Sequence, residues 1–248
     1  MKMLTLVLAA LATAAPVAPP PTGDQKAALD RQVAVESQNL QQSPDDTEAL
    51  YRLGLAWLSL GEPKKALKPL EALVAKDAES LDGKLLLARA YRLSNETQKA
   101  KELLDAAIVS LPEEVSLRAE RGLLARQEGE LALAIDHYKK AVLLSPQDAG
   151  LRFNLGEALQ QKHVLDEAIA AYRKALELKP DLTSAKVNLA KALAEKGQYT
   201  EAKELLSSVS KDTLADAEAH FNLGVLLMRE GNVTAAVTEY ERAQAISP

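Results

Sequence analysis

From Thr47 onward the chain can be cut every 34 residues without an insertion or deletion, and this period constrains the fold more than any other feature. The segments begin at Thr47, Leu81, Val115, Ala149, Thr183 and Ala217. Position 20 is Ala in every segment, as Ala66, Ala100, Ala134, Ala168, Ala202 and Ala236. Position 8 is always small (Gly54, Ala88, Gly122, Gly156, Ala190, Gly224), and position 24 is Leu70, Leu104, Tyr138, Tyr172, Leu206 and Tyr240. Pro stands at position 32 in Pro112, Pro146, Pro180 and Pro248. A fixed period of this length marks one supersecondary unit that cannot bury its apolar face alone and stacks on its neighbours.

Each segment reads as two helices. Leu53, Gly54 and Trp57 share one face of a first helix. Gly61, Gly129, Gly197 and Gly231 stand where that helix stops, since Gly takes positive φ without steric cost. A second helix follows, as in "LDEAIAAYRKALELK" from Leu165, and Ala168 facing the small residue at position 8 would let the pair cross closely. Pro180 ends that helix, Asp181 or Thr183 is placed to cap the next, and Asp45 with Glu48 has the form of a capping box. The composition is 47% apolar and 26% charged with only 4% aromatics, which favours packed helices over a β-rich core.

The fourth segment resembles the tetratricopeptide repeat family through Leu155, Gly156, Ala168, Tyr172, Ala175 and Pro180. The resemblance implies an all-α fold, an α-α superhelix of stacked antiparallel hairpins with a concave groove lined mainly by first helices. Six repeats are expected, at 47–80, 81–114, 115–148, 149–182, 183–216 and 217–248. Residues 24–44 read as an N-terminal capping helix with Leu29, Val33 and Leu40 on one face. The third repeat departs from the pattern with Arg118, Arg121 and Ala125. The plainer reading of these Arg residues is a packed stem with its head on solvent or a carboxylate; the sharper one turns their charge toward a ligand. "SSVSKDTLAD" (207–216) loses the apolar end of a second helix and is a candidate flexible joint. In the sixth repeat Gln244 replaces an apolar position 28, while Val237 and Ile246 leave an edge where a partner or a second copy could dock.

The resemblance assigns positions 2, 5, 9, 12 and 13 of the first helix to the groove, with position 6 beside them. Arg89, Arg92 and Arg126 would form one stripe able to grip carboxylates, with solvated guanidinium groups as the plainer alternative. The Lys at position 5 and Asn at position 9 that mark the family's chaperone-tail clamp are absent, so that activity is not carried over. Asn154, Asn188 and Asn222 share position 6, and a row of amides can pair with an extended peptide backbone, although Asn is common there in the family. Phe153, Phe221 and Met228 add apolar area beside Glu157, Lys191 and Arg229.

The N-terminal "MKMLTLVLAALATAAPVAPPPTG" has the layout of a signal peptide over residues 1–14, followed by a Pro-rich linker over 15–23. Its apolar run of about a dozen residues is short of a membrane span, so no permanent anchor is expected after cleavage. The chain is expected to be exported, to the periplasm or the outside of a bacterium. A formal charge of −5 lacks the footprint of a nucleic-acid binder. There is no Cys, and His137, His163 and His220 fall at unrelated positions of their repeats. No catalytic or nucleotide-binding motif occurs, so neither catalysis, cofactor nor metal is expected. The expected function is a non-catalytic scaffold binding a peptide or protein segment in the groove, within envelope assembly or secretion. Self-association through the C-terminal repeat, giving a homo-oligomer, is the alternative.

Overall fold

The computed structural model describes residues 21–209 and 214–246, and among these are thirteen α-helices and no strand. Helix α1 (Gly23–Gln42) precedes twelve further helices, two to each 34-residue segment. In the first three segments α2 (Thr47–Ser59) pairs with α3 (Pro63–Lys76) and α4 (Leu81–Leu93) with α5 (Thr97–Ser110), and α6 (Val115–Gln127) is followed in the chain by α7 (Leu131–Leu144). The last three pair α8 (Ala149–Gln161) with α9 (Leu165–Leu178), α10 (Thr183–Glu195) with α11 (Tyr199–Ser207), and α12 (Leu214–Arg229) with α13 (Val233–Ile246). Five first helices open on the first residue of a 34-residue segment; α12 opens three residues early. Two compact units divide between Glu130 and Leu131, so α6 is the last helix of the first unit and α7 the first helix of the second. The expected signal peptide, most of the linker, residues 210–213 of the expected joint and Pro248 lie outside the described residues.

Position 15 sets the turn inside each hairpin. Gly61, Gly129, Gly197 and Gly231 take φ of 73, 78, 79 and 78°, and Asn95 and His163 adopt the same left-handed conformation at 64 and 59°. His163 is thus a turn residue, held where Gly is the least strained choice. The helix starts differ in detail from expectation. The cap of α2 is Asp46, which accepts from the Ala49 amide at 3.0 Å; Asp45 lies one residue too early and pairs with Lys76 instead. Ser80 and Asp148 cap α4 and α8 in the same way, whereas α10 starts at Leu182 with no side-chain cap, so neither Asp181 nor Thr183 serves.

The close crossing within a hairpin is set by position 8 against position 24. A Cβ on Gly156 would lie 2.5 Å from Cε1 of Tyr172, one on Gly224 2.6 Å from Cε1 of Tyr240, and one on Gly54 would strike Leu70. The expected partner of position 8 was Ala168; the Ala side chains at position 20 are fully buried, but the tight contact belongs to the larger residue one turn on. In the first unit Leu50, Leu70, Leu86, Leu104, Leu117 and Leu124 belong to one continuous apolar core. Helix α1 packs on α2, with buried Glu36 paired to Arg52 at 2.8 Å. In the second unit Tyr172, Leu151, Val187 and Leu193 are fully enclosed.

Candidate interaction site

In the first unit the stripe of Arg residues is turned onto a carboxylate of the chain itself. Arg89 Nη2 donates to Glu120 at 2.8 Å, and Arg92 Nε lies 3.5 Å from the other oxygen of the same group. The three side chains are 13, 15 and 8% exposed, so this cluster is largely withdrawn from water. Arg126, the third member of the expected stripe, is half-buried on α6. Arg121 is buried with Nε on Asp105 at 2.8 Å, and Arg118 donates through Nε to the Pro112 carbonyl at 2.9 Å. For Arg121 the plainer expectation, a packed stem with its head on a carboxylate, describes the geometry. Burial, then the hydrogen bond to Glu71 at 2.7 Å, raises the Tyr91 phenol well above its usual range and keeps it a donor.

In the second unit the expected row of Asn residues meets three different environments. Asn154 is 1% exposed; Asn188 is half-buried with Nδ2 3.5 Å from Glu157 Oε1; Asn222 donates to the Glu218 carbonyl of its own helix at 2.8 Å. Phe153 is 3% exposed and tilted against Tyr172 with centroids 5.9 Å apart. Phe153 and Asn154, both expected to face a groove, are thus buried side chains. Val187 at the same position as Phe153 is 0% exposed, and α10 packs across both α8 and α9. Phe221 repeats the ring pair with Tyr240 at 5.6 Å yet stands 55% exposed, and Met228 is 45% exposed.

The remaining candidates form a half-exposed polar row. Lys191 on α10 pairs with Glu218 on α12, Gln160 on α8 donates to Glu195 on α10 at 2.8 Å, and Tyr172 donates to Gln160 at 2.9 Å. Arg229 donates to the Tyr199 hydroxyl at 3.0 Å and lies over its ring. Position-by-position reading missed the partners. Arg89 with Glu120 and Glu157 with Asn188 each link position 9 of one repeat to position 6 of the next, 31 residues on. Complementary side chains at that offset were the signal that could have found them. His220 Nδ1 lies 2.6 Å from Glu239 in the last hairpin. Among the described residues no group of His, Asp and Glu could hold a metal, and no helix is long and apolar enough to cross a membrane.

Hairpins of this length, repeated in register with a small residue at position 8 and Ala at position 20, define a helical-repeat protein. Tetratricopeptide repeat profiles match residues 26–80 and 187–248, and again 149–182; a TPR repeat profile matches 122–162. The chain belongs to the tetratricopeptide repeat family. No curated protein matches it. Among solved structures it is similar to the human IFIT1 dimer with m7Gppp-AAAA, at 18% identity and TM-score 0.71, covering 88% of this chain and 55% of that one. The Cut9–Hcn1 hetero-tetramer of APC/C is similar at 18% identity and TM-score 0.71, covering 89% and 44%. MamA MSR-1 is similar at 25% identity and TM-score 0.53, covering 64% and 95%. The chain thus spans about half the length of the first two. At 18% identity these likenesses show the fold alone.

Proposed function

We propose that the protein is an exported, non-catalytic scaffold that holds a peptide or protein segment against the first helices of its second unit, within envelope assembly or secretion in a bacterium. The observation that supports this reading is the polar row of Glu157, Asn188 and Lys191 on α8 and α10. Each is half-buried and reaches solvent; Glu157 and Asn188 meet across α8 and α10, and Lys191 pairs with Glu218 on α12. Side chains held in this way offer a bound backbone both donors and acceptors with little further ordering. The Asn188 contact to Glu157 is long at 3.5 Å, so exchanging it for a ligand carbonyl forfeits little. Arg229 continues the row onto α12, where it donates to the Tyr199 hydroxyl. Arg89 and Arg92 contribute less, because Glu120 already occupies the place a ligand carboxylate would take.

The test is the variant Asn188→Ala with Lys191→Ala, used to capture partners from the exported fraction with identification by mass spectrometry. The specific partner is expected to disappear while far-ultraviolet circular dichroism stays helical. Capture at the wild-type level would sink the groove reading. Export is checked separately by N-terminal sequencing of the secreted form, where a retained Met1 contradicts cleavage.

A further inference from the structure

The exposure of Phe221 has a cause other than a groove. On α12 two pairs of residues, each seven apart, have opposite fates: Ala219 and Leu226 are 2 and 4% exposed, whereas Phe221 and Met228 are 55 and 45% exposed. Helix α12 packs on α10 and α11 of the preceding repeat, so its covered side faces backward along the stack and its open side faces forward. The fourth repeat shows what an occupied forward side looks like. There Phe153, Ile169, Tyr172 and Ala175 are 3, 6, 0 and 0% exposed where the next hairpin, α10 and α11, begins. The residues at the same four positions of the sixth repeat are Phe221 at 55%, Val237 at 46%, and the half-buried Tyr240 and Ala243. The ring pair beneath is unchanged, tilted by 48° in one repeat and 47° in the other. The surface is therefore already shaped as an inter-repeat interface, and what such an interface receives is a helix.

The charge beside it differs from the third and fourth repeats and matches the first two. There Glu71 and Asp105 stand at position 25 and meet the Tyr91 hydroxyl and Arg121 of the next first helix. Lys139 pairs with Glu167 at 2.9 Å and Arg173 with Glu201 at 2.7 Å, each joining a base at position 25 to an acid at position 19 of the next repeat. At position 25 the sixth repeat carries Glu241, exposed and in no ion pair among the described residues. An incoming helical segment that copied Glu167 or Glu201 would set acid against acid. A second copy fits less well on the other side too. Its α1 lies over its first repeat and exposes Val35 as the large apolar residue among Asp24, Lys26, Asp30 and Arg31.

We infer that the face of Phe221, Val237 and Tyr240 receives an amphipathic helical segment of a partner protein, docked as the next element of the stack and carrying Lys or Arg opposite Glu241. Its apolar residues, spaced i, i+3 and i+4, would cover the ring pair as α10 covers Phe153 and Tyr172. This site is separate from the polar row of α8 and α10 and does not depend on it.

The probe is a fluorescent synthetic peptide of residues 183–207, the segment that follows the equivalent face on the fourth repeat, constrained to be helical and confirmed so by circular dichroism. It is made with the native Glu201 and with Glu201→Lys, and titrated against the whole chain by anisotropy. The Lys peptide is expected to bind about two- to fivefold tighter, the range of an exposed ion pair. Glu241→Lys should reverse that preference. Phe221→Asp and Val237→Asp, both changes of exposed residues, should each weaken binding at least about tenfold, as truncated interface anchors do. The Asn188→Ala, Lys191→Ala variant should bind the probe as wild type does, so failure here and failure of the groove reading are distinguishable. Binding that survives both Asp variants, or no saturable binding by the helical probe, overturns the inference. A dimer in sedimentation that Phe221→Asp dissolves would also overturn it, by assigning the face to a second copy.

Discussion

Glu120 lies between two guanidinium groups at 2.8 and 3.5 Å, and burial decides what that is worth. An exposed ion pair contributes little. Here all three side chains are at most 15% exposed, so removing the carboxylate takes a close counter-charge from two cations that are largely withdrawn from water. Glu120→Ala is expected to cost roughly 3 kcal/mol in urea unfolding, and Glu120→Gln less because an acceptor oxygen remains. A cost near zero for the Ala variant would mean that solvent already screens the cluster. His163 offers the opposite sign. Its φ of 59° is strained for a side chain with a Cβ, and Gly occupies the same turn in four other repeats. His163→Gly should stabilise the chain by about 1 kcal/mol, read as a raised Tm. These two residues also mark what was legible. The turn was visible because it repeats at a fixed position; the partner of Arg89 was not, because 31 residues exceed any spacing within one helix.

At the level of the hairpin, the small residue at position 8 and the bulky one at position 24 act as one joint. In the fourth repeat the Tyr172 ring fills the space a Cβ on residue 156 would need. Position 8 is Ala beside Leu in the second and fifth repeats, as Ala88 with Leu104 and Ala190 with Leu206, whereas in the first Leu70 itself fills the space over Gly54. Gly156→Ala should therefore cost about 1–3 kcal/mol by overpacking. Adding Tyr172→Leu to that variant should recover part of the loss, giving a negative coupling in a double-mutant cycle. Additive costs would show that the ring is not the obstacle. The period exposed this joint in outline and misassigned its partner to position 20, since both positions lie on the same face of the second helix. The burial of Phe153 was harder to see. It depends on the placement of the following hairpin, which no local spacing reports, whereas Phe221 with the same neighbours in sequence stays open.

For the whole molecule, a repeat array gains stability as a sum of repeat terms and nearest-neighbour terms rather than from one central core. The described helices fall into two compact units, and the single Trp of the chain, Trp57, lies on α2 of the first, with Lys65 4.8 Å from its ring centroid. Trp fluorescence therefore reports the first unit, while far-ultraviolet circular dichroism reports the helices of both. Gly156→Ala places its cost on α8 in the second unit, six helices beyond α2 in sequence. The expected outcome in urea is a dichroism transition that begins at lower denaturant than in wild type, with the Trp57 transition nearly unmoved. Two probes that separate in this way break the two-state condition, and their separation measures how far a local defect spreads along the array. If both transitions shift together and remain coincident, the defect is shared by all six repeats. The stack then unfolds as one cooperative body, and a segment docked on the polar row of the second unit would stabilise the first unit as much as its own.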